Sequence, residues 1–338
     1  MPARILLQRL VPALFSLFGV LVIAFVLTRA MPGDPAAHLA GAAASQQAIQ
    51  EIREKLGLDR SLLEQFVAYL SQVSHGDFGQ SFATGQPVLK DLLTRLPASL
   101  ELTVAGLAIA LLIALPLGVL SALRPGSWID HVARLVTTAG VSLPTFFTGL
   151  LLVYVFYYLL GWFPAPMGRL PAFADAPPGV TGLYLVDSLL AGDLGLFADT
   201  LAYLTLPAVT LGIFALAPIA RMTRSAMLAA LGSEYLRTAR ASQLPSWKVV
   251  LVYALQNALL PVLTTMGMVF SYLLGANVLV EKVFSWPGLG SFALEALVTS
   301  DYAAVQGFVL TMGVLYVLLN LSIDFAYGLV DPRVRLAS

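Results

Sequence analysis

The sequence predicts an all-α, polytopic membrane protein with about six transmembrane helices, on three observations. Of 338 residues, 58% are hydrophobic and 11% charged, where a soluble domain carries about 25% charged residues. Six apolar stretches reach the roughly 20 residues that a helix needs to cross a hydrocarbon core of about 30 Å. Lysine and arginine are concentrated in alternate loops, the quantity to which membrane insertion responds.

The stretches lie near 10–30, 98–122, 132–160, 201–221, 254–280 and 304–330. Arg4 and Arg9 precede an apolar run from Leu10 to Leu27, longer than the roughly 7–15 residues of a signal h-region, so the first stretch reads as a retained span. A charged insert follows from Met31 to Leu96. Its apolar residues Ile49, Ile52 and Leu56, then Leu62, Leu63, Phe66 and Leu70, have helical spacing and predict two short amphipathic helices. The third and fifth stretches exceed one bilayer thickness, so a tilt or kink must absorb the excess. Pro116, Pro144, Pro207, Pro218 and Pro261 lie in or beside the spans. Carbonyls freed at such prolines suit a bundle around a cavity, although ordinary helix packing is the simpler reading of any one of them.

With the N-terminus inside, the inside set is Arg4, Arg9, Arg124, Arg134, Arg221, Arg224, Arg237, Arg240, Lys248, Arg333 and Arg335. The two shorter outside loops hold Arg169 and Lys282, and the long insert is discounted because long translocated segments escape the rule. Both termini are thus expected in the cytoplasm. Asp175, Asp187, Asp193 and Asp199 give the loop between spans three and four an acidic, external character.

The loop between spans four and five is too long for a simple turn. Ser233 is a suitable N-cap, Glu234 suits the positive end of the helix dipole, and Pro245 biases Leu244 out of the helical region. Arg237 and Arg240, three apart, give a short basic helix. Spacing alone leaves two readings open: a functional element, or a basic loop obeying the topology rule.

The run E-Y-L-R-T-A-R-A from Glu234 to Ala241, with N-A-L-L-P from Asn257 to Pro261, resembles the dipeptide/oligopeptide/nickel permeases of ATP-binding-cassette importers. Further blocks in the same order are Pro32-Gly33-Asp34-Pro35, Gly76-Asp77-Phe78-Gly79, Ser142-x-Pro144-x-Phe146, Arg221 to Ser225, Phe284 to Gly290, and Asp331-Pro332-Arg333. They span nearly the whole chain. The resemblance implies the type I importer permease architecture, with a coupling helix near 233–243 in which Glu234, Tyr235, Arg237, Thr238, Ala239, Arg240 and Ala241 meet an ATPase subunit. It gives Ala239 and Ala241 the small side chains for close approach. One departure is Gln243, which stands where the family has glycine.

Phe284, Trp286, Pro287 and Gly288 form an aromatic pair around a Pro-Gly turn after span five. An external gate or pore rim is one reading, and aromatic anchoring at the membrane interface the other. Asp324, with Tyr327, Asp331 and Arg333, and Glu101 are read as parts of structural polar clusters.

Absences narrow the class. No Gly-Lys pair occurs, so the G-x-x-x-x-G-K-[ST] phosphate loop is missing, and no G-x-S-x-G elbow occurs. Cysteine is absent, and His38, His75 and His131 form no H-E-x-x-H pair, so neither a catalytic nor a metal site is expected. The nineteen basic and nineteen acidic side chains cancel, which gives no bulk field to draw nucleic acid. The expected organisation is a first span at 1–30, an external insert at 31–96 and a permease core at 97–338. As the resemblance implies, ATP and magnesium belong to two separate ATPase subunits, and a second permease chain and an extracytoplasmic solute-binding protein complete the assembly in a bacterial inner membrane. The favoured cargo is a di- or oligopeptide, with nickel, glutathione or opines as alternatives. An ion-coupled secondary transporter is the reading from another class; it would need ionisable residues deep in the spans and inverted repeats, and neither is evident.

Overall fold

The computed structural model describes residues 3–30, 34–41 and 44–330. The Asp324 side chain, the Asp331-Pro332-Arg333 block and Pro32-Gly33 lie outside the described residues. Thirteen helices follow in order among the described residues: α1 Ala3–Ala30, α2 Pro35–Ala40, α3 Gln46–Lys55, α4 Leu62–Ser74, α5 Val88–Leu123, α6 Trp128–Ser142, α7 Thr145–Leu152, α8 Tyr184–Leu190, α9 Leu194–Leu231, α10 Glu234–Ala241, α11 Leu255–Val283, α12 Leu289–Val298 and α13 Tyr302–Val330. Two π-helical turns, Val153–Leu159 and Lys248–Ala254, continue α7 and precede α11. Among the described residues five helices are long and apolar enough to cross a membrane, or up to six spans if α6 and the bent helix Thr145–Leu159 count as one.

The third apolar stretch is not one rod. α6 and the helix from Thr145 to Leu159 meet at 102°. Pro144 explains the break: Leu143 before it is extended (φ −103°, ψ 142°), the conformation a following proline ring imposes, and Pro144 is the N-cap from which α7 starts. Pro207, Pro218 and Pro261 instead sit within continuous helices. α5 and α9, with 36 and 38 residues, are about 54 and 57 Å long at ~1.5 Å per residue. Both overrun the hydrocarbon, which apolar content alone could not reveal.

The chain forms two compact units, residues 1–97 with 288–318, and residues 98–287 with 319–338. In the first unit, α3 and α4 form where the spacing predicted two helices. The Ser61 hydroxyl accepts from the Glu64 N–H while the Glu64 carboxylate accepts from the Ser61 N–H, which fixes the start of α4. Phe66 and Tyr69 of α4 pack on Phe25 of α1 at ring distances of 5.2 and 5.9 Å, while Leu62 and Leu63 stay exposed. Gly79 in the Gly76-Asp77-Phe78-Gly79 block is left-handed (φ 79°), and the Asp77 carboxylate accepts its N–H. This turn opens a small loop closed by the Gln80–Pro87 bridge. Asp301, fully buried, holds the loop by accepting from the Ser81 hydroxyl (2.7 Å) and the N–H groups of Phe82 (2.6 Å) and Ala83 (3.2 Å).

In the second unit, α5, α9 and α11 build the core, with Leu102, Ala110, Leu204, Leu211, Ile219 and Val269 buried together. α5 lies hard against α9 because it carries glycines there. A Cβ at Gly118 would fall 2.6 Å from the Thr223 Cβ and 2.9 Å from the Ala220 carbonyl oxygen, and one at Gly106 2.8 Å from the Leu211 Cβ. Phe214 of α9 stacks on Tyr272 of α11 at 4.7 Å.

Asp301→Ala strips three donors of their shared acceptor. It is expected to lower stability by about 2–3 kcal/mol and to open the 80–87 loop to protease in detergent, as read by thermal unfolding and limited proteolysis. Unchanged cleavage would count against the anchoring role.

Candidate functional site

α10 is a two-faced helix fixed to its own chain. Leu236, with no exposure, and Ala239, at 8%, pack with Val119, Ala122, Met227, Ala230, Val249, Ala254 and Ala258. Glu234, Tyr235, Arg237, Thr238, Arg240 and Ala241 form the exposed face. Ala239 was expected to approach a partner; it is instead turned inward, because positions 236 and 239 share the side of α10 that faces the π turn Lys248–Ala254 and the cluster it forms with residues of α5 and α9, leaving Ala241 as the small exposed residue. The Arg237–Glu234 pair (2.9 Å) is largely exposed, so it contributes little to stability. Glu234 in the first turn and Arg240 in the last complement the helix dipole.

Both ends of α10 are sharply defined. Ser233 occupies the N-cap position but makes no capping bond; its hydroxyl donates to the Ala230 carbonyl oxygen at 2.5 Å, tying α10 to the last turn of α9. At the other end, Gln243 is left-handed (φ 56°) and its N–H donates to the Arg240 carbonyl. The turn geometry that a glycine would supply is therefore kept by glutamine, at a cost of about 1–2 kcal/mol. A cleft of about 430 Å³ beside α10 is lined by Leu123, Leu231, Arg240, Leu244, Val249 and Val250, with Ser246.

The stem that carries α10 is fixed by an ion pair that sequence reading missed. Arg224 of α9 donates through Nε and Nη2 to the two carboxylate oxygens of Asp130 (2.7 and 2.9 Å), and Asp130 also accepts the Gly126 N–H at 3.0 Å. The Asp130 side chain is fully buried and Arg224 is 28% exposed. Arg134 adds a longer contact of 3.4 Å. The available signal was Ser127-Trp128-Ile129-Asp130, a serine cap with an acid three residues on, and the Ser127 hydroxyl does accept the Asp130 N–H.

Near the opposite end of this unit's α5 segment lies a second polar cluster. Glu101 pairs with Arg169 at 2.6 Å, both about 95% buried. Arg169 also donates to the Gly182 carbonyl and lies over the Tyr184 ring at 3.4 Å, while the second Glu101 oxygen accepts from the Leu185 N–H. Glu101 thus joins a structural cluster, as its sequence context indicated. Asp187, expected on an acidic surface, is buried. Burial pushes its carboxyl up, but bonds from the Thr181 hydroxyl and the N–H groups of Thr181 and Gly182 outweigh this and hold it below the usual carboxylate range. Asn277 and Glu281 of α11, which sequence reading passed over, are buried beside Ser99 and Thr103: the Asn277 amide donates to the Thr103 hydroxyl, and the Ser99 hydroxyl donates to Glu281, each at 2.5 Å.

Phe284 and Trp286, offered as a pore rim or as interface anchors, are 3% and 1% exposed. The Trp286 indole N–H donates to the Ala98 carbonyl (2.9 Å), and the Phe284 carbonyl accepts the Gly168 N–H (3.1 Å). The turn is possible because Ser285 is left-handed (φ 52°). Both rings fill the core of the chain and are not available to anchor it in headgroups. Pro287 is exposed, and Gly288 is the residue from which α12 starts. Among the described residues no group of three or more metal-ligating side chains occurs.

Residues 114–336 match the profile described as "Binding-protein-dependent transport system inner membrane component", and residues 2–103 match its N-terminal companion. The chain is 45% identical over 330 residues to the probable D,D-dipeptide transport system permease protein DdpB of Escherichia coli K12, covering 98% of this chain and 97% of that one. It is 43% identical over 321 residues to the di/tripeptide transport system permease protein DppB of Pseudomonas aeruginosa, covering 95% of each. A chain of the inward-facing MetNI methionine ABC transporter is similar in structure, with a TM-score of 0.50 and 18% identity over 71% of this chain and 96% of that one. At that identity the likeness concerns the fold.

Replacing Gln243 by Gly is expected to raise the thermal midpoint in detergent by the equivalent of up to about 1 kcal/mol, and Gln243→Val to lower it. Removing Arg224 (Arg224→Leu) leaves the buried carboxylate with only the longer Arg134 contact and the Gly126 N–H, and is expected to cost about 3 kcal/mol, part of it recovered in the Asp130→Ala/Arg224→Leu double variant. Additive effects in that cycle would show the two residues to be uncoupled.

Proposed function

Because this chain belongs to the family of inner membrane components of binding-protein-dependent transport systems, we propose that it lines, with a second permease chain, the path by which an importer carries di- or oligopeptides across the bacterial inner membrane. The chain is the transmembrane permease subunit of an ATP-binding-cassette importer and has no ATPase site of its own. ATP and magnesium act on two partner subunits, and an extracytoplasmic solute-binding protein delivers cargo. The names of relatives near 45% identity favour peptides over nickel, glutathione or opines. The arginine and lysine distribution supports a cytoplasmic position for both termini and α10.

The observation that carries this reading is the division of α10 into a buried and a free face. A helix that hung in solvent could not pass on a displacement. α10 is packed on its inner side through Leu236 and Ala239, follows α9 after two residues, and sits on a stem braced by Asp130–Arg224. Movement imposed on its free face by a closing ATPase dimer therefore moves α9, and with it the core of the unit, as a rigid body. Glu234, Tyr235, Arg237, Thr238, Arg240 and Ala241 form the docking surface; Ala239, Phe284 and Trp286 act from inside the fold.

Charge reversal at Arg240, exposed and not needed for packing, is expected to reduce substrate-stimulated ATP hydrolysis by the reconstituted complex about tenfold, with the chain still folded by thermal unfolding. Stimulation equal to that of the parent complex would remove α10 from the coupling path. Uptake in proteoliposomes that continued without the ATPase subunits would refute the importer reading itself.

A further inference from the structure

The unit of residues 1–97 and 288–318 contains a cavity of about 260 Å³ whose lining includes Arg29, Lys55, Tyr69, Asp77, Tyr302 and Gln306. Its position follows from the apolar windows Val11–Ala30 and Tyr302–Ile323: Arg29 is next to the last residue of one and Tyr302 is the first of the other, so the cavity stands at the edge of both apolar windows, where a span of that length meets the headgroups.

The cavity is rich in uncommitted donors. Arg29 uses Nε on Gln65 (2.9 Å) and lies over the Phe25 ring at 4.9 Å, and among the described residues neither terminal nitrogen has an acceptor. Lys55 likewise has no acceptor there. Tyr69 is 9% exposed, and its hydroxyl has no hydrogen-bond partner, although burying such a group unsatisfied is unfavourable. Asp77 is the carboxylate of the lining, and one of its oxygens is occupied by the Gly79 N–H. Asp34, the nearest acid along the chain from Arg29, is paired with Arg53. Two cations and an idle phenol thus face one partly engaged acid.

We propose that this cavity binds a phosphate-class oxyanion, brought by a phospholipid headgroup or free in the external solution. A planar guanidinium fork, an ammonium and a phenol from different walls suit an anion with several acceptor oxygens better than a neutral ligand. The lipid source has an apolar path beside it, because Ile23, Val26 and Leu27 on the last turns of α1 are 57%, 55% and 52% exposed. Residues at the two ends of the described chain, α1 and α13, would be bridged by the headgroup to the insert helices α3 and α4.

The test uses the assembled complex, delipidated in detergent and titrated with phosphatidylglycerol, with diacylglycerol as the phosphate-free control and with inorganic phosphate, followed by thermal unfolding and native mass spectrometry. Saturable binding of one phosphatidylglycerol per copy of this chain is expected, weakened about tenfold by Arg29→Gln and about threefold by Tyr69→Phe. Protection by inorganic phosphate to the same extent identifies the free anion as the source. Without ligand, Tyr69→Phe should be at least as stable as the parent, since it removes a hydroxyl with no partner. Equal stabilisation by diacylglycerol, binding unaffected by Arg29→Gln, or destabilisation of the ligand-free protein by Tyr69→Phe would each overturn the proposal.

Discussion

The close approach of α5 and α9 is the constraint from which the rest of the 98–287 unit follows. In a bilayer no hydrophobic force draws two helices together, since lipid tails are as apolar as leucine, and van der Waals packing must hold them. Gly106 and Gly118 let the backbones come within the distance that a single extra methyl would forbid. Two rods much longer than the membrane is thick are thereby joined side by side. α9, longer than a bilayer crossing requires, runs on as a stem, and α10 follows its end after two residues.

Ion pairs secure this arrangement at both ends of the α5 segment. Asp130–Arg224 ties the start of α6 to α9 below α10, and Glu101–Arg169 ties α5 to the loop ahead of α8. Each is buried on the carboxylate side and completed by backbone N–H groups, which satisfies the lone pairs that make an isolated buried charge so unfavourable. Such pairs give the bundle a defined register in a medium where apolar contacts alone would allow helices to slide.

Span positions were legible in the sequence because length and apolarity decide them, and the two insert helices because their apolar residues recur at helical spacing. The α10 segment was legible for a different reason: its start and stop signals are local. What escaped depends on partners far along the chain. Asp130 and Arg224 are 94 residues apart, and Glu101 and Arg169 68, so neither pairing leaves a local pattern. Trp286 looked like an interface anchor because a tryptophan beside Pro-Gly is ambiguous until the carbonyl of Ala98 is found at its indole. Pro144 shows the limit of the single-proline reading: the same residue type stands where one span bends by 102°, with Leu143 before it extended, and lies inside the continuous helices α9 and α11.

The two π-helical turns, one continuing the bent span and one between Pro245 and α11, carry a mechanical implication. A π turn holds an extra residue relative to the α-helix around it. Releasing that residue into the neighbouring loop, or reabsorbing it, rotates everything beyond by about 100° about the helix axis and shifts it by ~1.5 Å, while all but a few backbone bonds stay made. α11 therefore has a reserve of screw motion next to a stem that has none, so that the two sides of α10 differ in compliance: stiff toward α9 and geared toward α11.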